Sequence, residues 1–292
     1  MAIPESQLET WTGQGAASGS ATTYQAVRQA IFSHSALTGR NLDVYLQGSY
    51  RNDTNIRGDS DVDVVVECRE SQFSDPSRLQ GANRQWWESL PTATYTWDEF
   101  RQDVHQALVA YFGPDQVRDG NKCIKVWEHA QGRIAADVVP AFTFVLYQPD
   151  LSSEEGIAFL TRDERRRVVN FPKQHYDNGV AKNSATQGTF KPAVRMFKNA
   201  TTRAVDSGLL SDDDAPSHFI ECAVANARNG SLLVPTWQEV FCGVHEFIRT
   251  SDLNTFMRLD GIRWLFGTDS ESWSQDKCRR WLTALAQLWL TW

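Results

Sequence analysis

A chain of 292 residues is long enough for two domains or one large, well-buried one, and 41% apolar with 22% charged residues is ordinary for a globular protein. No apolar run approaches the roughly 20 residues of a membrane span, and the small, polar stretch from Met1 to Ser20 holds no signal core, so neither a membrane partner nor a secretory leader is expected. A net charge of −7 argues against a long nucleic-acid partner, and five scattered cysteines (Cys68, Cys123, Cys222, Cys242, Cys278) without a CxxC pair argue against a disulfide framework and for the reducing cytoplasm.

Tyr24, Val27, Ile31 and Phe32 recur at helical spacing and predict an amphipathic helix ending near Thr38-Gly39-Arg40. Leu42 to Leu46 alternates as a strand and leads into the pair Gly48-Ser49. Asp61-Val62-Asp63-Val64-Val65-Val66 then predicts a buried strand. Side chains alternate along a strand, so Asp61 and Asp63 share a face, with Cα atoms roughly 6.5–7 Å apart. Two carboxylates on one face of an apolar strand repel each other unless a divalent cation lies between them. Hard oxygen ligands of this kind suit Mg²⁺ or Mn²⁺. Gly48 leaves room for a phosphate to approach the backbone, and Ser49 adds a hydroxyl donor.

A helix follows over Trp97, Phe100, Val104, Leu108 and Tyr111, stopping at Gly113-Pro114. Gln116 to Trp127 reads as a hairpin turning at Asp119-Gly120, and a further turn at Gln131-Gly132 leads into the strand Ile134–Pro140. That strand carries Asp137 in its middle. A lone carboxylate there is costly without a partner, and the metal at Asp61 and Asp63 would supply one; the alternative is a strand-end Asp capping a turn. From about Leu151 helical stretches take over, at Glu154–Val169, Lys191–Ser207, Ser217–Ala227, Thr236–Thr250 and Lys277–Trp292. The domain boundary is therefore expected near 150–160.

A Gly-Ser pair, an Asp-x-Asp and a third Asp on a neighbouring strand together resemble the polymerase-β-like nucleotidyltransferases, although an Asp-x-Asp alone is a weak signal. Four segments narrow the resemblance to the bacterial cGAS/DncV-like nucleotidyltransferases. They are Gln47–Thr54, Asn170–Tyr176 (Asn-Phe-Pro-Lys-Gln-His-Tyr), Gly188–Asn199 and Pro216–Cys222 (Pro-Ser-His-Phe-Ile-Glu-Cys). The resemblance spans roughly residues 25–250. It implies an α+β fold, a nucleotidyltransferase palm with a mixed sheet plus a C-terminal helical domain. The palm, with an N-terminal helix, is placed at 1–155, and the helical domain at 156–292 forms the other wall of a nucleotide cleft.

The implied activity is metal-dependent condensation of nucleoside triphosphates into a cyclic di- or trinucleotide second messenger for anti-phage signalling, with release of pyrophosphate and a downstream effector reached through the product. By the same resemblance Asp61, Asp63 and Asp137 would hold two Mg²⁺ ions, Asp137 also helping to deprotonate the attacking ribose hydroxyl. Ser49 would bond the polyphosphate, flanked by Gln47 and Gly48. Lys198 matches a triphosphate-binding lysine and Ser217 a phosphate-contacting serine. His218 stands where the family often has an aromatic that stacks on a base, a departure. Asn183 could face a base edge or bond its own backbone. The alternative acceptor is an RNA 3′ end or a small-molecule hydroxyl, and a nucleotide-binding decoy without catalysis is a third reading.

Other signals carry less. Asp212-Asp213-Asp214 reads as a solvated acidic loop and Arg165-Arg166-Arg167 as a basic helix face. His34, His105, His129, His175 and His245 show no ligand spacing with cysteine or one another. The eleven tryptophans read mainly as core, with Trp281, Leu285, Leu288 and Trp289 forming a helical apolar stripe.

Overall fold

A computed structural model describes residues 2–15, 18–58, 61–128, 133–268 and 271–292. In chain order the elements begin with α1 (Glu5–Trp11), α2 (Ser18–Ser33), β1 (Leu42–Gln47), α3 (Gly48–Asn52), β2 (Asp61–Asp75), α4 (Gly81–Glu88), α5 (Trp97–Phe112), β3 (Val117–Asp119) and β4 (Ile124–Val126). They continue with β5 (Ala135–Tyr147), β6 (Ser153–Leu160), β7 (Arg167–Asn170), α6 (Pro172–Ala185), α7 (Phe190–Asp206), α8 (Ser217–Asn226), α9 (Trp237–Thr250) and α10 (Gln275–Thr291). The chain divides into two compact units: Ala17–Tyr50 with Ser60–Pro172, and Met1–Ala16 with Arg51–Asp59 and Lys173–Trp292.

The first unit is built on a seven-stranded mixed sheet with the order β1-β2-β5-β4-β3, β6 pairing β5 and β7 pairing β6. β2 and β5 run parallel and the other pairs antiparallel. Val62, Val64, Val65 and Val66 are fully buried on β2, sharing a core with Val27 and Ile31 of α2 and Phe100, Val104 and Leu108 of α5. α5 begins where a Thr96–Glu99 capping box satisfies its first backbone amides. The α2 helix ends at Ser33, earlier than its apolar spacing predicts, and a turn carries the chain to Gly39. The β3–β4 turn is also wider than an Asp-Gly hairpin: Asp119 pairs with Ile124, and the Gly120 amide donates to the Cys123 carbonyl at 3.0 Å. The expected turn at Gln131-Gly132 and His129 lie outside the described residues.

The expected helix Glu154–Val169 is a correction: the segment forms β6, the turn and β7. Ile157-Ala158-Phe159 is buried without alternation, and a short continuous apolar run has no periodicity that separates strand from helix. The sheet unit therefore reaches Pro172 rather than ending near 155. Arg165 and Arg166 lie in the β6–β7 turn, where Arg165 pairs with Asp98, and Arg167 opens β7, so the three do not form a helix face.

The second unit is helical. Phe190, Phe197, Phe219, Trp281 and Leu285 fill its core, and the Trp281 indole donates to the Thr201 hydroxyl at 2.8 Å. α1 belongs here and not with the sheet: Ile3 and Leu8 are fully buried in this core, and the Glu5 carboxylate accepts from the Trp237 and Gln238 amides at the start of α9. α6 is a helix the sequence pattern misses. It buries only His175 and Gly179, so it carries no apolar stripe to read. Asp213 and Asp214, read as solvated, are paired with Lys277 and Arg280, and Asp214 is buried.

Candidate active site

The pleat of β2 sends Asp61 and Asp63 to one face, both half-buried between buried valines. Parallel pairing sets Asp63 opposite Asp137 on β5, and antiparallel pairing sets Asp137 opposite Lys125 on β4. Asp63, Asp137 and Lys125 thus form a row across three adjacent strands, with Asp61 one pleat repeat before Asp63. The Lys125 ammonium reaches Asp61 and donates to its Oδ2 at 2.6 Å.

Antiparallel pairing with β1 places Gln47 opposite Asp63, so the Gly48-Ser49 pair follows directly beside the acidic row. Gly48 has φ +68°, and a Cβ built on it would lie 2.1 Å from Asp63 Oδ2. Only glycine admits the Asp63 carboxylate this close to the backbone. Gly48 and Ser49 open the short helix α3.

Asp137 has the surroundings of a cation ligand. Burial pushes its carboxyl up, a Cys123 thiol hydrogen bond pulls it down, Asp61 raises it and Lys125 lowers it; the net is above the ordinary carboxylate range. Its Oδ1 is buried with no hydrogen-bond partner among the described residues. An unsatisfied buried oxygen costs free energy that a bound cation would remove. Cys123 next to it is held as a neutral thiol, pushed up to about 12 by burial and by Asp137 and Asp63. Three carboxylates, one of them with an orphaned oxygen, are the hard ligands a divalent cation takes. The nucleotidyltransferase chemistry of this fold requires such a cation.

The remaining predicted residues lie in the helical unit. Ser217 and His218 are exposed in the first turn of α8, and the His218 ring stacks on His175 with centroids 5.2 Å apart. Lys198 is buried and donates to the Thr54 carbonyl at 2.9 Å. The Asn183 side-chain oxygen accepts from the Lys191 amide at 3.1 Å, so it is engaged at the start of α7. Sequence reading missed Glu221. Its buried carboxylate accepts from Asn52 Nδ2 at 3.2 Å and Thr54 Oγ1 at 3.3 Å and pairs with His175 Nε2 at 3.2 Å. Linear spacing also hid the grouping of His175, His218 and Cys222, whose ligand atoms lie within 4.8 Å of one another. Cys123 and Lys125 were missed too, although the period of two in Cys123-Ile124-Lys125-Val126 puts both on one strand face.

The family model for the nucleotidyltransferase domain matches residues 31–116, and that for the cGAS/DncV-like nucleotidyltransferase C-terminal helical domain matches residues 177–290. The chain is 41% identical over 296 residues to a cyclic UMP-AMP synthase of Rhodothermus marinus, covering 100% of this chain and 99% of that protein. It is 31% identical over 303 residues to a cyclic nucleotide synthase of Staphylococcus haemolyticus, covering 100% of both. The structure of the Rhodothermus marinus synthase with Apcpp and Upnpp superposes with a TM-score of 0.90 at 39% identity, covering 99% of this chain and 97% of that one. The Elizabethkingia meningoseptica cyclic dinucleotide synthase with GTP and Apcpp gives 0.78 at 28% identity, over 99% and 100% of the two chains. An acidic row on a palm-like sheet, a separate helical unit and full-length likeness converge: the chain belongs to the cGAS/DncV-like nucleotidyltransferases and is an enzyme of the cyclic nucleotide synthase kind.

Proposed function

We propose that the enzyme joins two or three nucleoside triphosphates into a cyclic nucleotide at a site where Asp61, Asp63 and Asp137 hold two Mg²⁺ ions, Mn²⁺ being able to replace them. The observation that carries the reading is the row of three carboxylates ending in the orphaned Oδ1 of Asp137. When bound, the ions supply Lewis acidity at the attacking and leaving oxygens. In each condensation a ribose hydroxyl oxygen bonds to an α-phosphorus, the bond from that phosphorus to the β-phosphate bridge breaks, and pyrophosphate leaves; the last condensation closes the ring. Asp137, whose carboxyl is raised, takes the hydroxyl proton. Gly48 lets the Asp63 carboxylate stand against the Gly-Ser backbone, with Gln47 beside it, and the Ser49 hydroxyl donates to the polyphosphate.

Ser217 keeps its implied phosphate contact from an exposed place in the first turn of α8, and exposed His218 offers a flat ring to a base. Lys198 would have to leave the Thr54 carbonyl to reach a phosphate, and Asn183 would meet a base through the amide side that Lys191 does not occupy. ATP and UTP are the proposed substrates, on the strength of the relative named a cyclic UMP-AMP synthase. The product is proposed to act in the cytoplasm on an effector protein in anti-phage defence. Among the described residues no helix is long and apolar enough to cross a membrane.

The test is incubation with labelled ATP, GTP, CTP and UTP in Mg²⁺ or Mn²⁺, with the product identified by mass spectrometry. A phosphatase-resistant cyclic product, absent from Asp61→Asn and Asp63→Asn, is expected. Unreacted triphosphate under every condition, or label passed only to RNA, would overturn the reading.

A further inference from the structure

We propose that Lys125 is a built-in counter-ion of the acidic row, holding Asp61 in the position a divalent cation needs and setting the metal concentration at which the enzyme loads. This rests on Asp61, Asp63 and Asp137 being the metal ligands, the reading given above.

The observations come from strand geometry. Lys125 lies opposite Asp137 in the β4–β5 register, yet its ammonium extends past that residue to Asp61 Oδ2 at 2.6 Å. Both side chains are only 29% exposed, so the pair is partly sheltered from water and from screening by salt. A divalent cation bonds a carboxylate oxygen at about 2.0–2.1 Å. An ammonium on the same oxygen would then stand within roughly 4–5 Å of two positive charges, and even at the dielectric of water that repulsion is worth about 20-fold in affinity. The ammonium and the metal therefore exclude each other at Asp61 Oδ2. The Trp127 ring, its centroid 5.1 Å from Lys125 Nζ, is already within cation–π range of the ammonium while it sits on Asp61.

The arrangement has a use. Without a cation, Asp61, Asp63 and Asp137 repel one another across two adjacent strands, and one ammonium among them keeps the row assembled. The same ammonium raises the threshold for metal entry. Lys125 is a positioning residue in this scheme: it acts on the metal through Asp61 and touches no reacting atom.

The experiment is an Mn²⁺ titration of the nucleotide-free enzyme, free Mn²⁺ being read from its electron paramagnetic resonance signal. Lys125→Met and Lys125→Gln are expected to bind Mn²⁺ about 20-fold more tightly than the wild type. Lys125→Arg, which keeps the charge, and Lys122→Met, which removes an exposed lysine on the same hairpin, are expected to match the wild type. The Mg²⁺ concentration that half-saturates pyrophosphate release should fall in parallel for Lys125→Met. Unchanged or weaker Mn²⁺ binding by both neutral variants, with the wild type binding normally, overturns the proposal and leaves the active-site reading standing. If Mn²⁺ binds the wild type but survives Asp63→Asn and Asp137→Asn, or binds no variant at all, the metal-site reading itself fails and this inference falls with it.

Discussion

Glu221 in the helical unit and Asp137 in the sheet unit are both carboxylates set among apolar neighbours, and their surroundings treat them differently. Burial alone raises the Glu221 carboxyl, but the His175 hydrogen bond and the charges of His175, Lys198 and His218 outweigh it, and its net position is below the ordinary range. Asn52 and Thr54 donate to its two oxygens as well. Asp137 is raised, and one of its oxygens has no hydrogen-bond partner among the described residues. A satisfied carboxylate of the first kind holds a fold together. An under-satisfied one of the second kind is a cost that the chain carries for something it binds. Burial by itself thus separates structure from function poorly; the count of partners separates them well.

Substitution should divide the two centres cleanly. Asp137→Asn is expected to lower pyrophosphate release by on the order of 10³-fold if Asp137 is, as proposed, both a metal ligand and the base. Its midpoint of urea unfolding, measured with EDTA present, should stay level or rise, because a neutral amide relieves repulsion from Asp61. Loss of stability without loss of activity would reverse the assignment. Glu221→Ala should do the opposite in kind, destabilising the protein by about 3–5 kcal/mol by leaving buried His175, Asn52 and Thr54 facing a cavity. An unchanged midpoint for that variant would show that the network is not structural.

Gly48→Ala tests how the acidic row meets the backbone. The left-handed φ makes any side chain cost about 1 kcal/mol. The new Cβ must also push the Asp63 carboxylate away from its place. A displacement of about 1 Å in a reacting group costs on the order of 10²-fold in rate. Activity should therefore fall much further than the stability change accounts for, and Mn²⁺ affinity should fall with it. Stability and activity falling in proportion would mean that the glycine serves the turn alone.

What was readable in the sequence follows from how local each signal is. Asp61 and Asp63 were legible because two residues of spacing on a strand fix a shared face. Asp137 stood out as the one acid in an apolar strand. Lys125 and Cys123 were not legible, since their place beside Asp137 depends on β4 pairing with β5, and strand order is not written in any one segment. The helices α7 to α10 announced themselves by apolar stripes, whereas α6 has none and β6 hid its strand character in an unalternating run. Residues 5–11 fell within the palm placed at 1–155 because the stretch from Met1 to Ser20 reads as small and polar; Ile3 and Leu8, which anchor α1 in the helical unit, say that something covers them without saying what. Glu221 sat in a recognised motif, but its partners are 46 to 169 residues away in sequence.

The smallest effect bears on the same comparison through pH. The folded-state pKa of Glu221 is lowered, so its ionised form contributes stability above the ordinary glutamate range, near pH 4.5, and that contribution is lost as pH falls through the folded value. Glu221→Gln keeps the shape and a carbonyl acceptor but has nothing to titrate. The stability gap between wild type and Glu221→Gln should therefore be constant near neutral pH and close steadily as the pH drops below about 4.5. Denaturant midpoints of both proteins between pH 7 and pH 3 measure it. A gap that widens on acidification would mean that the Glu221 carboxyl is protonated in the folded protein. Its partners would then be holding a neutral acid, and the contrast with Asp137 would lose its electrostatic basis.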